Sequence, residues 1–86
     1  NPNHATAYSN LGSILRDQGR VTEALMATRK AVELNPNYAK SHYNLGNILI
    51  DLGKLKDAEL SIRKAIELDP DFAESHLNLG TILRDI

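Results

Sequence analysis

Two sets of polar residues recur along the chain at one fixed spacing, which we call the repeat period. The asparagine ladder consists of Asn10, Asn44 and Asn78. An asparagine amide carries both a hydrogen-bond donor and an acceptor, so a row of amides can hold a peptide backbone without reading its side chains. The aspartate ladder consists of Asp17, Asp51 and Asp85. These carboxylates form either a solvated acidic rim or a contact for a basic ligand.

Other residue types that could do chemistry are not arranged to do it. His42 and His76 stand one period apart, and neither has a partner one helical turn away. Two such nitrogens do not make a first coordination shell, so no metal is predicted. No nucleophile, base and orienting residue can be assembled, and no glycine-rich phosphate loop is present. The sequence predicts neither an enzyme nor a cofactor.

The composition narrows the class of partner. The chain of 86 residues has ten basic and eleven acidic side chains, and it contains no cysteine. This balance argues against binding to nucleic acid or to an acidic membrane surface, and no apolar run reaches the length of a membrane span. We expect a cytoplasmic protein. Because the chain starts on Asn1 and stops inside a repeat, we also expect it to be a segment of a longer protein.

The repeat period predicts the elements that must position these residues. Self-similarity over about 34 residues is typical of a helical repeat array. Helices are predicted over about 5–18, 21–34, 43–52, 55–68 and 73–86. Gly19 and Gly53 stand where a left-handed residue ends a helix. The prolines that recur once per period mark the breaks between repeats, and the residues after them, Asn3, Asn37 and Asp71, are predicted N-caps.

Two further patterns concern packing. Apolar residues at helical spacing are expected to form the inner face of the first helix; they are Tyr8, Leu11, Ile14 and Leu15. Gly12, Gly46 and Gly80 recur in mid-helix, where glycine costs about 1 kcal/mol relative to alanine. We expect a neighbouring helix to approach closely at these glycines.

Together these residues resemble the tetratricopeptide repeat. The family's pattern is a bulky residue, Leu-Gly, a bulky residue, Ala, a bulky residue, Ala and Pro. The first repeat matches it with Tyr8, Leu11-Gly12, Leu15, Ala24, Thr28, Ala31 and Pro36, and the second with His42, Leu45-Gly46, Leu49, Ala58, Ile62, Ala65 and Pro70. The partial third repeat matches its beginning with His76, Leu79-Gly80 and Leu83. The resemblance implies an all-α fold, a right-handed α-solenoid of five helices in antiparallel pairs. It also implies that His42 and His76, which stand at the family's aromatic packing place, pack in the interior. One domain, 1–86, is predicted, with repeats at about 5–38 and 39–72 and a partial repeat at 73–86.

The resemblance also implies a function. Family members bind extended peptides or partner helices on a concave face lined by the first helix of each repeat. The residues predicted to contact a peptide there are Asn10, Asn44, Asn78, Asn47, Tyr43, Ser13, Asp17, Asp51, Asp85 and Lys40. By the same analogy Ser9 and Arg16 also face this groove. The asparagine ladder is similar to that of O-linked N-acetylglucosamine transferases, which hold substrate chains this way. Asparagine is also common at this place across the family, so it could simply suit the rim of the groove.

Three functions remain open. The first is a non-catalytic scaffold that binds a protein or peptide. The second is a substrate-docking segment of a larger enzyme, such as a glycosyltransferase. The third is a structural segment that self-associates, because the last helix lacks the helix that should cover its apolar residues.

Overall fold

Short turns join the five helices that residues 2–86 form. The computed structural model describes the backbone of residues 2–86 and the side chains from residue 4 onward. The helices are α1 (Pro2–Asp17), α2 (Val21–Leu34), α3 (Ala39–Asp51), α4 (Leu55–Leu68) and α5 (Ala73–Asp85). Helix α3 therefore begins earlier than predicted. Each helix packs against the next, and α1, α3 and α5 also pack side by side. The predicted all-α fold, a helical repeat solenoid, is confirmed.

The ends of α1 and α3 follow from two glycines. Gly19 and Gly53 have φ angles of 78° and 76°, a left-handed conformation that glycine adopts without a steric penalty. After α1, the Arg20 N–H donates to the Leu15 carbonyl at 2.9 Å and the Gly19 N–H donates to the Arg16 carbonyl at 2.9 Å. These two bonds define a Schellman motif. The predicted helix ends at these glycines are confirmed.

The predicted N-caps are wrong. α1 begins at Pro2, so Asn3 lies within the helix; its side chain is outside the described residues. The residues that precede α3 and α5 are Tyr38 and Phe72, and neither makes a side-chain capping bond. The polar residue before the proline forms the turn instead, since Asn35 Oδ1 accepts a hydrogen bond from the Asn37 N–H at 3.1 Å. Such local bonds compete with capping.

The mid-helix glycines are sites of close helix packing in the first two helix pairs. A Cβ atom added at Gly46 would lie 2.6 Å from Ile62 Cγ1 and 3.4 Å from the Ala58 carbonyl oxygen. At Gly12, an added Cβ would overlap Thr28. At Gly80, no atom lies within 4 Å of the added Cβ. The predicted close approach therefore holds for two of the three glycines.

The predicted inner face of α1 is only partly buried. Leu15 is buried, whereas Tyr8, Leu11 and Ile14 are exposed. Ile48, one period after Ile14, is fully buried in a cluster with residues of α1 and α2. Ile14 is exposed because no helix precedes α1 among the described residues. Burial of the position held by Ile14 and Ile48 therefore depends on the helix pair that precedes it in the chain, not on the partner helix of its own repeat.

Candidate functional site

The side-by-side packing of α1 and α3 creates a pocket of about 140 Å³ on their shared face. We call the surface formed by α1, α3 and α5 the odd-helix face. The residues that line the pocket are Gly12, Ser13, Arg16, Tyr43, Asn44, Asn47 and Ile48. Four predicted contact residues therefore meet at one place. The other six do not line it; they are Asn10, Asn78, Asp17, Asp51, Asp85 and Lys40.

The members of the asparagine ladder have different environments. Asn44 is buried, and its Nδ2 donates to the Ser9 carbonyl at 3.1 Å and to Ser9 Oγ at 3.0 Å. Asn78 is half-buried and donates to Asn47 Oδ1. Asn10 is exposed. The Asn44 bonds connect α3 to α1, and the Asn78 bond connects α5 to α3. Two of the three amide groups thus join neighbouring helices.

Ser9 explains why Asn44 is turned inward. The resemblance placed Ser9 on the open groove, but its side chain is fully buried. Burying a hydroxyl costs free energy unless it is hydrogen-bonded, and the Asn44 amide donates a hydrogen bond to the Ser9 hydroxyl. The residue one period after Ser9 is Tyr43, and Asn78 bonds to Asn47 rather than to Tyr43. The side chain on the preceding odd-numbered helix therefore decides how each asparagine is used.

The three members of the aspartate ladder also differ in their contacts. Asp51 accepts two hydrogen bonds from Arg16, from Nε at 2.5 Å and from Nη2 at 3.1 Å. This ion pair joins α1 to α3. Asp85 lies 3.7 Å from Arg84 on its own helix, and Asp17 is exposed. Arg16 is adjacent to Asp17 in the sequence, yet it pairs with the aspartate of the next odd-numbered helix.

The Arg16 guanidinium is held in its charged form beside the pocket. The hydrogen bonds to Asp51 raise the pKa of Arg16 above its ordinary value, partial burial works against this, and the negative charges of Asp51 and Asp17 add to the rise. A cation is therefore fixed at the edge of the pocket. Sequence reasoning placed Arg16 on the groove but did not include it among the contact residues. The repeat pattern could not show its pairing with Asp51, because that pairing joins two helices.

An aromatic pair positions Tyr43. Its ring packs against Phe72 with 4.8 Å between the centroids and 40° between the planes. Phe72 precedes α5, so this contact connects the start of α5 to α3. Sequence reasoning missed Phe72 because it lies in a turn rather than on a helical face. An aromatic residue directly before a predicted helix was the available signal.

The two repeated histidines bind the turns that precede their helices. His42 Nε2 lies 2.7 Å from the Pro36 carbonyl oxygen, and His76 Nε2 lies 2.7 Å from the Pro70 carbonyl oxygen. Since a carbonyl oxygen only accepts, Nε2 carries the proton in both residues. His42 is buried as expected, whereas His76 is exposed, so the expectation of interior packing is wrong for His76.

Among the side chains that the structure describes, no three histidine, aspartate or glutamate residues are grouped as a metal site. No helix in residues 2–86 has both the length and the apolar character needed to cross a membrane.

Comparison with known proteins defines the class and then the family. The solenoid of helix pairs places the chain among helical repeat proteins. A family model described as "TPR repeat" matches residues 12–53, and one described as "Tetratricopeptide repeat" matches residues 39–72. The chain belongs to the tetratricopeptide repeat family. Repeats of this family generally act as non-catalytic scaffolds that bind protein partners.

Two solved structures show the same fold. The crystal structure of MamA is 27% identical, with a TM-score of 0.90, over 99% of this chain and 50% of that chain. A mutant of the Thermobaculum terrenum O-GlcNAc transferase is 35% identical, with a TM-score of 0.89, over 95% of this chain and 16% of that chain. The chain thus spans half of the first protein and a smaller part of the second. Comparison with curated proteins gives no match.

Proposed function

We propose that this chain is a non-catalytic binding module that holds an extended segment of a protein partner on the odd-helix face. The observation that carries the proposal is the pocket between α1 and α3, where polar groups from both helices converge. We divide the module into repeats at about 5–38 and 39–72 and a partial repeat at 73–86. The net charge of −1 gives no reason to propose nucleic acid or an acidic membrane as the partner.

The size of the pocket favours a peptide over a small molecule. Pockets for drug-sized ligands and cofactors measure about 300–1,000 Å³, whereas this pocket measures about 140 Å³. It is large enough for a single side chain of a longer ligand. The remainder of that ligand would lie along the open face of the odd-numbered helices.

The chemistry of the lining suits a peptide backbone. Gly12 and Ile48 contribute apolar surface to the pocket lining, and Ser13 and Asn47 contribute a hydroxyl and an amide. These groups offer donors and acceptors, as a backbone requires. The Arg16 guanidinium adds donors at the edge. We propose the exposed predicted contacts, Asn10, Asp17, Asp85 and Lys40, as a second zone in which the ligand continues beyond the pocket.

The proposal is tested with peptides selected from a phage-displayed random library on the wild-type chain. Ser13→Arg places a long side chain in the pocket and should abolish binding of the selected peptides. Thr22→Arg is the matched control, because it makes the same change of charge at an exposed position of α2. Both variants should retain the wild-type helix content. Equal binding by wild type and Ser13→Arg would show that the pocket is not the site.

A second candidate is a docking segment that presents substrate chains to a catalytic domain. The 35% identity to part of the O-GlcNAc transferase structure favours it. Sequencing the gene that encodes this chain tests it: a glycosyltransferase domain in the same reading frame would support the docking function. A gene with repeats alone would favour the scaffold.

A further inference from the structure

The pocket between α1 and α3 is flanked by two polar bridges that join these helices. In the first bridge the Asn44 amide donates to Ser9, and in the second Arg16 pairs with Asp51. The bridges are seven residues apart on each helix, which corresponds to about 10 Å along the helix axes. Asn44 and Arg16 both line the pocket, so a ligand side chain bound there has one bridge at each end.

Asn44 presents an unpaired acceptor at the first bridge. The residue is 7% exposed, and its Nδ2 donates to the Ser9 carbonyl. Because a carbonyl oxygen only accepts, this bond fixes which end of the Asn44 amide is the nitrogen. Oδ1 therefore points away from Ser9, and no group among the described residues donates to it. It is not among the side-chain atoms that are both sealed from solvent and unpaired, which belong to Thr28, Ser41 and Ser75.

Arg16 presents unpaired donors at the second bridge. Its Nε and Nη2 donate to Asp51, and its Nη1 makes no hydrogen bond within the part of the chain that the structure describes. Arginine carries donors only, so the role of Nη1 is fixed. Asp51 balances the charge of the guanidinium, and Asp17 adds a negative charge nearby. This end of the pocket thus offers donors without an excess of positive charge.

We infer that the pocket is a subsite for a primary amide, the side chain of a glutamine or asparagine in the protein partner. The nitrogen of that amide donates to Asn44 Oδ1, and its oxygen accepts from Arg16 Nη1. The inference rests on the proposed function, because it requires that the pocket receives one side chain of an extended ligand. It adds a preference for one class of side chain, which backbone contacts at Ser13 and Asn47 do not supply.

A primary amide suits the separation of the two bridges. Its C=O and C–N bonds place its oxygen and nitrogen less than about 2.6 Å apart, and a hydrogen bond at each end adds about 2.9 Å. The resulting span of about 8 Å is comparable with the separation of about 10 Å between the bridges. A hydroxyl uses one oxygen for both bonds and spans only about 6 Å. The separation therefore favours an amide over the side chain of serine or threonine.

Other classes of side chain leave polar groups of the pocket unsatisfied. A carboxylate only accepts, so it would place an oxygen against Asn44 Oδ1 and a negative charge beside Asp51. A lysine ammonium only donates and would face the Arg16 cation. An apolar side chain would remove water from both polar groups without replacing its hydrogen bonds, which costs free energy. A primary amide avoids all three costs.

The first test uses peptides selected from the phage-displayed library on the wild-type chain, which should share a glutamine or asparagine at one position. That residue is replaced by an apolar residue of similar shape (methionine for glutamine, leucine for asparagine) or by the corresponding acid. Each replacement should weaken binding, measured by calorimetry, by about five- to tenfold, since one or two hydrogen bonds are lost. The same replacements at a peptide position that tolerates alanine are the control and should leave binding unchanged.

A change of charge in the protein tests the arginine end of the pocket. Asp51→Asn leaves the Arg16 charge unbalanced, so the acid form of the peptide should gain about tenfold in affinity relative to the amide form. Asp71→Asn is the matched control. It makes the same change of charge at an exposed turn position, where the residue one period earlier is Asn37, and it should leave the ratio of the two affinities unchanged.

Three results would overturn the inference. They are selected peptides without a shared amide residue, equal binding of the amide, acid and apolar forms, and the same affinity ratio in Asp51→Asn as in Asp71→Asn. None of them is a failure of the proposed function, which is measured with Ser13→Arg. If Ser13→Arg abolishes binding while the amide and apolar peptides bind equally, the pocket holds a side chain of another class and the amide subsite alone is wrong.

Discussion

The same substitution at two glycines should change stability in opposite directions. Glycine to alanine in a helix gains about 0.4–1 kcal/mol, because the unfolded chain loses conformational freedom. At Gly80 the added methyl group meets open space, so Gly80→Ala should stabilise the fold by that amount. The gain at Gly80 measures helix propensity without a packing term.

Gly46→Ala should destabilise the fold. Its methyl group would lie 2.6 Å from Ile62 Cγ1, and the Ile62 side chain is fully buried. Overpacking of this kind costs about 1–3 kcal/mol. After the propensity gain is subtracted, the net loss lies between about 0 and about 2.6 kcal/mol, with a central value of about 1.3 kcal/mol.

The two variants are compared by urea unfolding at concentrations where the chain is monomeric. For a domain of this size a change of about 1 kcal/mol shifts Tm by about 4–8 °C, so thermal unfolding should separate them clearly. Helix content before unfolding serves as the control. Equal stabilisation by Gly46→Ala and Gly80→Ala would refute the reasoning that close helix packing explains the repeated glycines of the first two helix pairs.

Three further predictions concern single contacts. Thr28→Val should stabilise the chain by about 1 kcal/mol, because the buried Thr28 hydroxyl has no hydrogen-bond partner in the structure; unchanged or lower urea resistance would contradict this. Asn44→Ala should cost about 1–3 kcal/mol, since it leaves a buried serine hydroxyl unpaired, whereas Asn10→Ala should change stability by less than about 0.5 kcal/mol; equal losses would contradict the different burial of the two amides. A double-mutant cycle on Arg16 and Asp51 should give a coupling of about 0.2–1 kcal/mol that falls with added salt. Because the pKa of Arg16 is raised, its contribution is present below the ordinary pKa of arginine and is lost only above the raised value, so it should be constant between about pH 7 and about pH 10.

The helices and the C-terminal ends of α1 and α3 could be predicted because local rules decide them. The left-handed conformation after α1 and α3 requires glycine, and Gly19 and Gly53 stand at those places. The N-termini could not be predicted, because a turn bond at Asn35 replaces the expected cap at Asn37. Both options use the same residue types, and only the geometry of the turn selects between them.

The sequence predicted which helix face carries the candidate site, but it did not predict which side chains contact each other there. Ser13 and Asn47 line the pocket as a groove position implies. The inward bonds of Asn44 depend on Ser9, which lies on another helix. The pairing of Arg16 with Asp51 likewise joins two helices. A repeat pattern predicts the same contacts for equivalent positions, although the residues that face those positions on the neighbouring helix differ.

Backbone recognition on the odd-helix face is tested most directly by changing the ligand rather than the protein. A selected peptide is compared by calorimetry with a version N-methylated at alternate backbone nitrogens and with a version whose side chains are shuffled. If the face holds the backbone, N-methylation should weaken binding by about a hundredfold, since about three hydrogen bonds of about 1 kcal/mol each are lost. The shuffled peptide should bind within about tenfold of the original. Loss of binding on shuffling, with full binding of the N-methylated peptide, would contradict the account.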